Sequence, residues 1–194
     1  MIGLDATVSA ILIGSFAAFM LVAQVARARG RQRRGPSVRR ASGIAQTAPY
    51  YFWVPYAVIW LRPGPSIEPS EQLTWLGLAL GVGGVAFSVW AIVAIGRHYD
   101  LELEVHADHE VVRTGPYRLV RHPIYTGLLA HLIGACVATG NLLLVAGTLF
   151  VVLPIFYIRA RTEEQLLREQ LGPAYEAYAR EVGMLVPLLG RRAG

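Results

Sequence analysis

The chain has 194 residues, 54% of them hydrophobic and 16% charged, with a mean hydropathy of +0.43; a soluble domain carries about 25% charged residues, so a wholly water-facing fold is excluded. The net charge is +5 and all 18 basic residues are arginine, which suggests an arginine-biased bacterial source. The arginines gather beside apolar stretches, so they point to membrane orientation and not to nucleic acid. The one cysteine, Cys136, excludes an internal disulfide and an all-cysteine metal site.

A hydrocarbon core about 30 Å thick needs roughly 20 apolar residues in a helix. Residues 4–26 give the first span. Its basic run follows the apolar stretch instead of preceding it, so it reads as a retained helix and not a cleaved signal. Residues 44–61 give the second, with Pro49 and Pro55 inside it as expected kinks. Residues 73–96 give the third, where Gly77, Gly81, Gly83 and Gly84 mark close approach of another helix. Residues 124–139 and 142–158 give the fourth and fifth, a hairpin turned at Gly140-Asn141. The last helix should run on to about Leu171, end at Gly172-Pro173 and resume over 174–182, with Tyr175 and Tyr178 facing the membrane interface.

Five spans with the N-terminus outside put seventeen of the 18 arginines on one side. The positive-inside rule makes that side cytoplasmic. The expected fold is therefore all-α: a five-helix membrane bundle, C-terminus cytoplasmic, with a C-terminal interfacial helix and one domain over 1–194. No loop is long enough for a soluble nucleotide-binding domain, so any cofactor site must be built from interfacial loops and helix ends.

Two cytoplasmic segments are rich in polar groups. Residues 97–123 hold four of the five histidines, His98, His106, His109 and His122, and five carboxylates. A solvated loop would also look like this. His106 and His109 are spaced for one helical face, but His109-Glu110-Val111-Val112-Arg113 lacks the second histidine of a zinc motif, so no metal is expected. Thr114-Gly115-Pro116-Tyr117 reads as a turn. Arg118, Arg121 and His122 then meet the membrane, and Pro123 starts a helix carrying Tyr125 and Gly127. These parts suit either a snorkelling helix start or a site for an anionic, ring-bearing ligand. In the second segment Arg159 and Glu163 are four apart and share a helix face, as a surface pair or as the lining of a cavity.

Gly115-Pro116-Tyr117-x-x-x-Arg121-His122-Pro123-x-Tyr125-x-Gly127, followed by Arg159-x-x-x-Glu163-Glu164-x-x-Leu167 and Gly172-x-x-Tyr175-x-x-Tyr178, resembles the isoprenylcysteine carboxyl methyltransferase family, related to membrane phospholipid methyltransferases. The resemblance covers roughly residues 97–187. It implies S-adenosylmethionine as cofactor, bound by residues 97–127 and 159–187. It places His109, Glu110, Val111, Val112, Tyr117, His122, Pro123, Ile124, Tyr125 and Glu163 along the cofactor. Arg159 then meets the acceptor carboxylate, and a lipophilic or prenylated acceptor reaches the site from the bilayer. For a phenolic acceptor, His122 or Glu163 is the candidate base. The alternative is a membrane NADPH-dependent sterol-type reductase, which carries a similar RHPxYxG; the Glu163-Glu164 pair favours the transferase.

Overall fold

The computed structural model describes residues 2–31, 37–40, 53–99, 104–106 and 111–187. In chain order these form α1 (Ile2–Arg31), β1 (Ser37–Arg40), α2 (Val54–Leu61), α3 (Glu71–Ile95), β2 (Glu104–His106), α4 (Pro123–Thr139), α5 (Leu142–Gly147), α6 (Leu153–Leu171) and α7 (Pro173–Glu181). A π-helical stretch, Thr148–Val152, makes α5 and α6 one continuous rod. It lies just before Pro154, which has no N–H for the ladder; a widened turn accommodates that loss.

Three helical stretches, Ala6–Gly30, Glu71–Ile95 and Leu142–Leu171, are long and apolar enough to cross a membrane, and α4 is apolar but shorter. The chain is a multi-pass integral membrane protein. Its outer faces fit that solvent: Phe150 is 78% exposed, and Val93 69%. Trp75 and Trp90, both half-exposed, lie about 22 Å apart along α3, as interfacial aromatics do.

Between apolar helices in lipid, packing and hydrogen bonds replace the hydrophobic effect. The closest pair is α3 with α4. A Cβ on Gly134 would lie 2.5 Å from the Gly81 nitrogen, and one on Gly77 2.5 Å from the Ala138 nitrogen. Gly81 and Gly84 belong to the same seam, while Gly83 faces open space. His131 of α4 is fully buried there, its Nδ1 3.0 Å from the Gly81 carbonyl. On its other side Phe16 of α1 stacks on Tyr56 of α2, centroids 3.7 Å apart.

The connections meet at two ends. β1 and β2 pair antiparallel, Ser37 with His106 and Arg40 with Glu104, so the segments after α1 and after α3 share one end. At the other end the segment before α3 meets the α4–α5 turn. Ile67 N donates to the Gly140 carbonyl and Leu142 N to that of Pro65, each at 3.0 Å. Gly140 takes φ 58°, and Asn141 caps α5 by accepting from Leu144 N at 2.8 Å.

Several expectations need correction. The β1–β2 ribbon replaces loop, so the fold is helical with one small strand pair, and the backbone of His106 is extended, not on a helical face. Pro55 lies in the first turn of α2 and starts that helix instead of kinking it; the rest of the expected second span, with Pro49, lies outside the described residues. Tyr175 and Tyr178 are each 3% exposed and pack against Val111, Leu167, Leu171 and Val182, toward the protein and away from any membrane interface. Their buried hydroxyls explain the orientation for Tyr178, which donates to the Tyr117 carbonyl at 2.7 Å.

Candidate active site

The site forms where the turn before α4 meets the first polar turns of α6. Gly115–Arg118 is a short 3-10 turn opened by Gly115 at φ 56°; a Cβ there would meet the Trp90 ring. His122 precedes Pro123, the first residue of α4. The extended segment after α7 then runs alongside: Arg121 N donates to the Gly183 carbonyl at 2.8 Å, and His122 N to that of Met184 at 3.1 Å. Thr126 Oγ1 donates to the Leu185 carbonyl at 2.7 Å. Backbone pairing thus fixes the motif before any side chain acts.

From α6, the apolar surface gives way at Arg159, and the side chains beyond it form a buried polar chain. Arg159 is 4% exposed. Its Nε donates to the Tyr125 hydroxyl at 2.9 Å, and that hydroxyl donates to Glu163 Oε2 at 2.9 Å. The pair four residues apart is therefore an interior feature bridged by a phenol, not a surface pair. Glu163 Oε2 also faces His122 Nδ1 at 3.5 Å. His122 stacks on Tyr125, centroids 5.6 Å apart and planes within 10°. Tyr125 in turn packs on Phe156.

The chain continues on the other side of the imidazole. His122 Nε2 faces Glu164 Oε1 at 3.5 Å. Arg121 Nε reaches the same oxygen at 2.6 Å, and Arg168 reaches Glu164 Oε2 at 2.6 Å. Arg121 also donates to the carbonyls of Ala179, at 2.9 Å, and Val182. Arg168 Nε pairs with Glu176 at 2.9 Å and lies over the Tyr175 ring. Arg121 is thus turned inward and joins α4 to α7; it is not one of three cations presented to an anionic ligand. Arg118 is exposed.

Charge states follow from these contacts. Burial disfavours an imidazolium, but Glu163 and Glu164 outweigh it and raise the His122 pKa to about 9. Burial likewise opposes ionised carboxylates. His122 and Arg159 nevertheless hold Glu163 below its usual value, and His122 and Arg121 hold Glu164 down to about 2. At neutral pH the cluster is a set of alternating charges. Its access is uneven: the Glu163 side chain remains 32% exposed, against 3% for His122 and 1% for Glu164.

Of the expected site residues, the structure brings together Tyr117, His122, Pro123, Ile124, Tyr125, Arg159 and Glu163 around this turn. Tyr117 and Pro123 are buried, Ile124 partly so. Val111 and Val112 are half-buried, Val111 against the α7 tyrosines. His109 and Glu110 lie outside the described residues. Sequence reading missed the roles of Glu164, Arg168 and Glu176; the spacing of Glu164 and Arg168, four apart on one helix, was the available signal.

Comparison with known proteins adds a lineage to this geometry. The model of the isoprenylcysteine carboxyl methyltransferase (ICMT) family matches residues 76–169, from α3 to α6. A probable protein-S-isoprenylcysteine O-methyltransferase of Oryza sativa subsp. indica is 30% identical over 127 residues, 64% of this chain and 66% of the rice protein; the match thus spans just under two thirds of that relative. A methanethiol S-methyltransferase of Pseudomonas sp. (strain GM41(2012)) is 41% identical over 81 residues, 40% of this chain and 29% of that one. The solved structure of a eukaryotic intramembrane Ras methyltransferase ICMT, without a monobody, superposes with a TM-score of 0.60 at 23% identity. It covers 94% of this chain and 70% of its own, and at that identity speaks to the fold.

Proposed function

We propose that the chain, whose residues 76–169 match the model of the isoprenylcysteine carboxyl methyltransferase family, is an integral membrane S-adenosylmethionine-dependent O-methyltransferase. Its acceptor is the carboxylate, or another oxygen, of a lipophilic, prenyl-like molecule drawn from the bilayer. The observation that carries this reading is the buried bridge from Arg159 through Tyr125 to Glu163 and His122. It unites the two motif segments and leaves Glu163 as the accessible carboxylate. The reductase reading loses its ground, since the family model and the relatives named above are methyltransferases.

The residues fit such a cofactor: an ionised, fixed and partly open carboxylate suits a ligand bearing positive charge and hydroxyls. Glu163 would hold it, with Tyr117, His122, Pro123, Ile124, Tyr125, Val111, Val112, His109 and Glu110 as the remaining wall. S-adenosylmethionine, when bound, supplies a methyl group on a positively charged sulfur. The protein's part is orientation. Arg159, held by Tyr125, offsets the negative charge of the acceptor. His122 remains protonated and serves as a cation that fixes Glu163, not as a base; a carboxylate acceptor needs none. The single domain over 1–194, the five spans, the outside N-terminus and the cytoplasmic site belong to the same proposal. The end-to-end grouping of the arginine-rich segments supports that topology.

The similarity to a methanethiol S-methyltransferase favours a second acceptor class, a thiol. One set of measurements separates these readings. Calorimetry on detergent-solubilised protein should give heat with S-adenosylhomocysteine and none with NADPH. Methylation of a prenylated cysteine derivative with a free carboxylate, and not of methanethiol, is expected. Glu163→Ala should lose cofactor binding, while Arg159→Ala keeps it and loses turnover. Heat with NADPH alone would overturn the transferase reading, and normal turnover by Arg159→Ala would remove its acceptor role.

A further inference from the structure

We infer that Glu164 is a positioning residue, which holds His122 from the side opposite Glu163 and thereby fixes the carboxylate that meets the cofactor. The catalytic consequence rests on the methyltransferase reading; the positional claim does not. Adjacent residues on an α-helix point about 100° apart, so Glu163 and Glu164 diverge. The imidazole of His122 lies between them, one nitrogen 3.5 Å from each. Its flat face rests on Tyr125. No rotation of the ring keeps both contacts, so the two carboxylates together determine its pose.

Glu164 is itself held from three directions. It is fully buried and takes 2.6 Å contacts from Arg121, before α4, and from Arg168, one turn further along α6. Arg121 is anchored on α7 through the Ala179 carbonyl, and Arg168 through Glu176. Two guanidinium groups already balance one carboxylate, and a buried ion pair is costly to assemble. A clamp between helices needs only those. The third cation on Glu164 is the one that leads to the site. Among the described residues, the charged groups facing His122 are thus Glu163 and Glu164 from α6, with Arg159 beyond Glu163 and Arg121 beside it in the chain. Such an arrangement keeps the ring protonated through the neutral range.

The test is a titration. Protein labelled with 15N-histidine in detergent gives ring-nitrogen shifts for His122, assigned by their loss in His122→Gln. The wild type should titrate with a midpoint above pH 8. Glu164→Gln, which keeps the shape and removes the charge, should lower that midpoint by about 1–3 units. The same substitution should weaken S-adenosylhomocysteine binding about tenfold, and the alkaline limb of kcat/KM should move to lower pH. A wild-type midpoint near 6.5 overturns the inference without any variant, so it stands or falls even if Glu164→Gln does not fold. Weaker binding in Glu164→Gln with an unmoved His122 titration also overturns it, because that is what a mere clamp would give. If the wild type binds no S-adenosylhomocysteine, the methyltransferase reading fails while the titration still decides the role of Glu164.

Discussion

Tyr125 carries two jobs with one oxygen. It accepts from Arg159 and donates to Glu163, so its hydroxyl fixes an acceptor-side cation relative to a cofactor-side anion. Hydrogen bonds to charged groups contribute about 1.5–3 kcal/mol. Tyr125→Phe keeps the ring stacked on His122 and Phe156 but cuts that link. Steady-state kinetics should show kcat/KM falling at least about tenfold, and the melting temperature should fall by several degrees. Charge on His122 and Glu164 also sets a stability window. A pKa raised to about 9 means that the contribution of His122 is full below its ordinary value of 6.5 and is lost as pH climbs through 9. A pKa lowered to about 2 means that the contribution of Glu164 is full above 4.5 and is lost as pH falls toward 2. Thermal stability in detergent should therefore be highest between about pH 4.5 and 6.5 and weaken on both sides. The spacing of Arg159 and Glu163 was readable in the sequence because it is local. The partnership of Arg121 with Glu164 was not, since 43 residues separate them and only the tertiary fold joins them.

At the scale of elements, the α3–α4 seam is the most demanding contact. Its glycines admit backbone at distances that a methyl group would forbid. Gly84→Ala and Gly134→Ala should each lower the melting temperature by several degrees or abolish folding, because backbone and not a flexible side chain blocks the new Cβ. Gly83→Ala meets nothing within 4 Å and should be neutral or stabilise by about 0.5–1 kcal/mol. A thermal-shift series on the three variants checks the contrast. The glycine pattern announced a seam but not which glycines form it, since that depends on where α4 crosses. Two helix ends were well marked: Pro123 starts α4 and Gly172 ends α6. The π-helical stretch before Pro154 was not marked, because proline signals a lost hydrogen bond without saying how the helix absorbs it. The inward turn of Tyr175 and Tyr178 was hidden for the same reason: a tyrosine pair on one face reads alike against lipid or against a neighbouring turn.

The described connections gather at two ends, and the charge count of the sequence proposes which end is cytoplasmic. The proposed orientation predicts opposite labelling of two single-cysteine variants in a Cys136→Ala background. Ser66→Cys, beside the α4–α5 turn, should react with an impermeant maleimide on intact cells. Thr114→Cys, beside the site, should react only after permeabilisation. The reverse pattern would invert the topology. Composition could assign segments to sides but could not reveal the strand pairing that physically joins them, because four- and three-residue strands leave no periodic signal. That ribbon carries a lesson for protein engineering. The part of the molecule that the family model matches, 76–169, includes β2 but not its mate β1. A chimera that grafts this part onto the leading helices of a relative would divide the ribbon between two parents. The natural exchange unit therefore runs from before Ser37 through Leu185, so that both strands and the segment paired with His122 travel together.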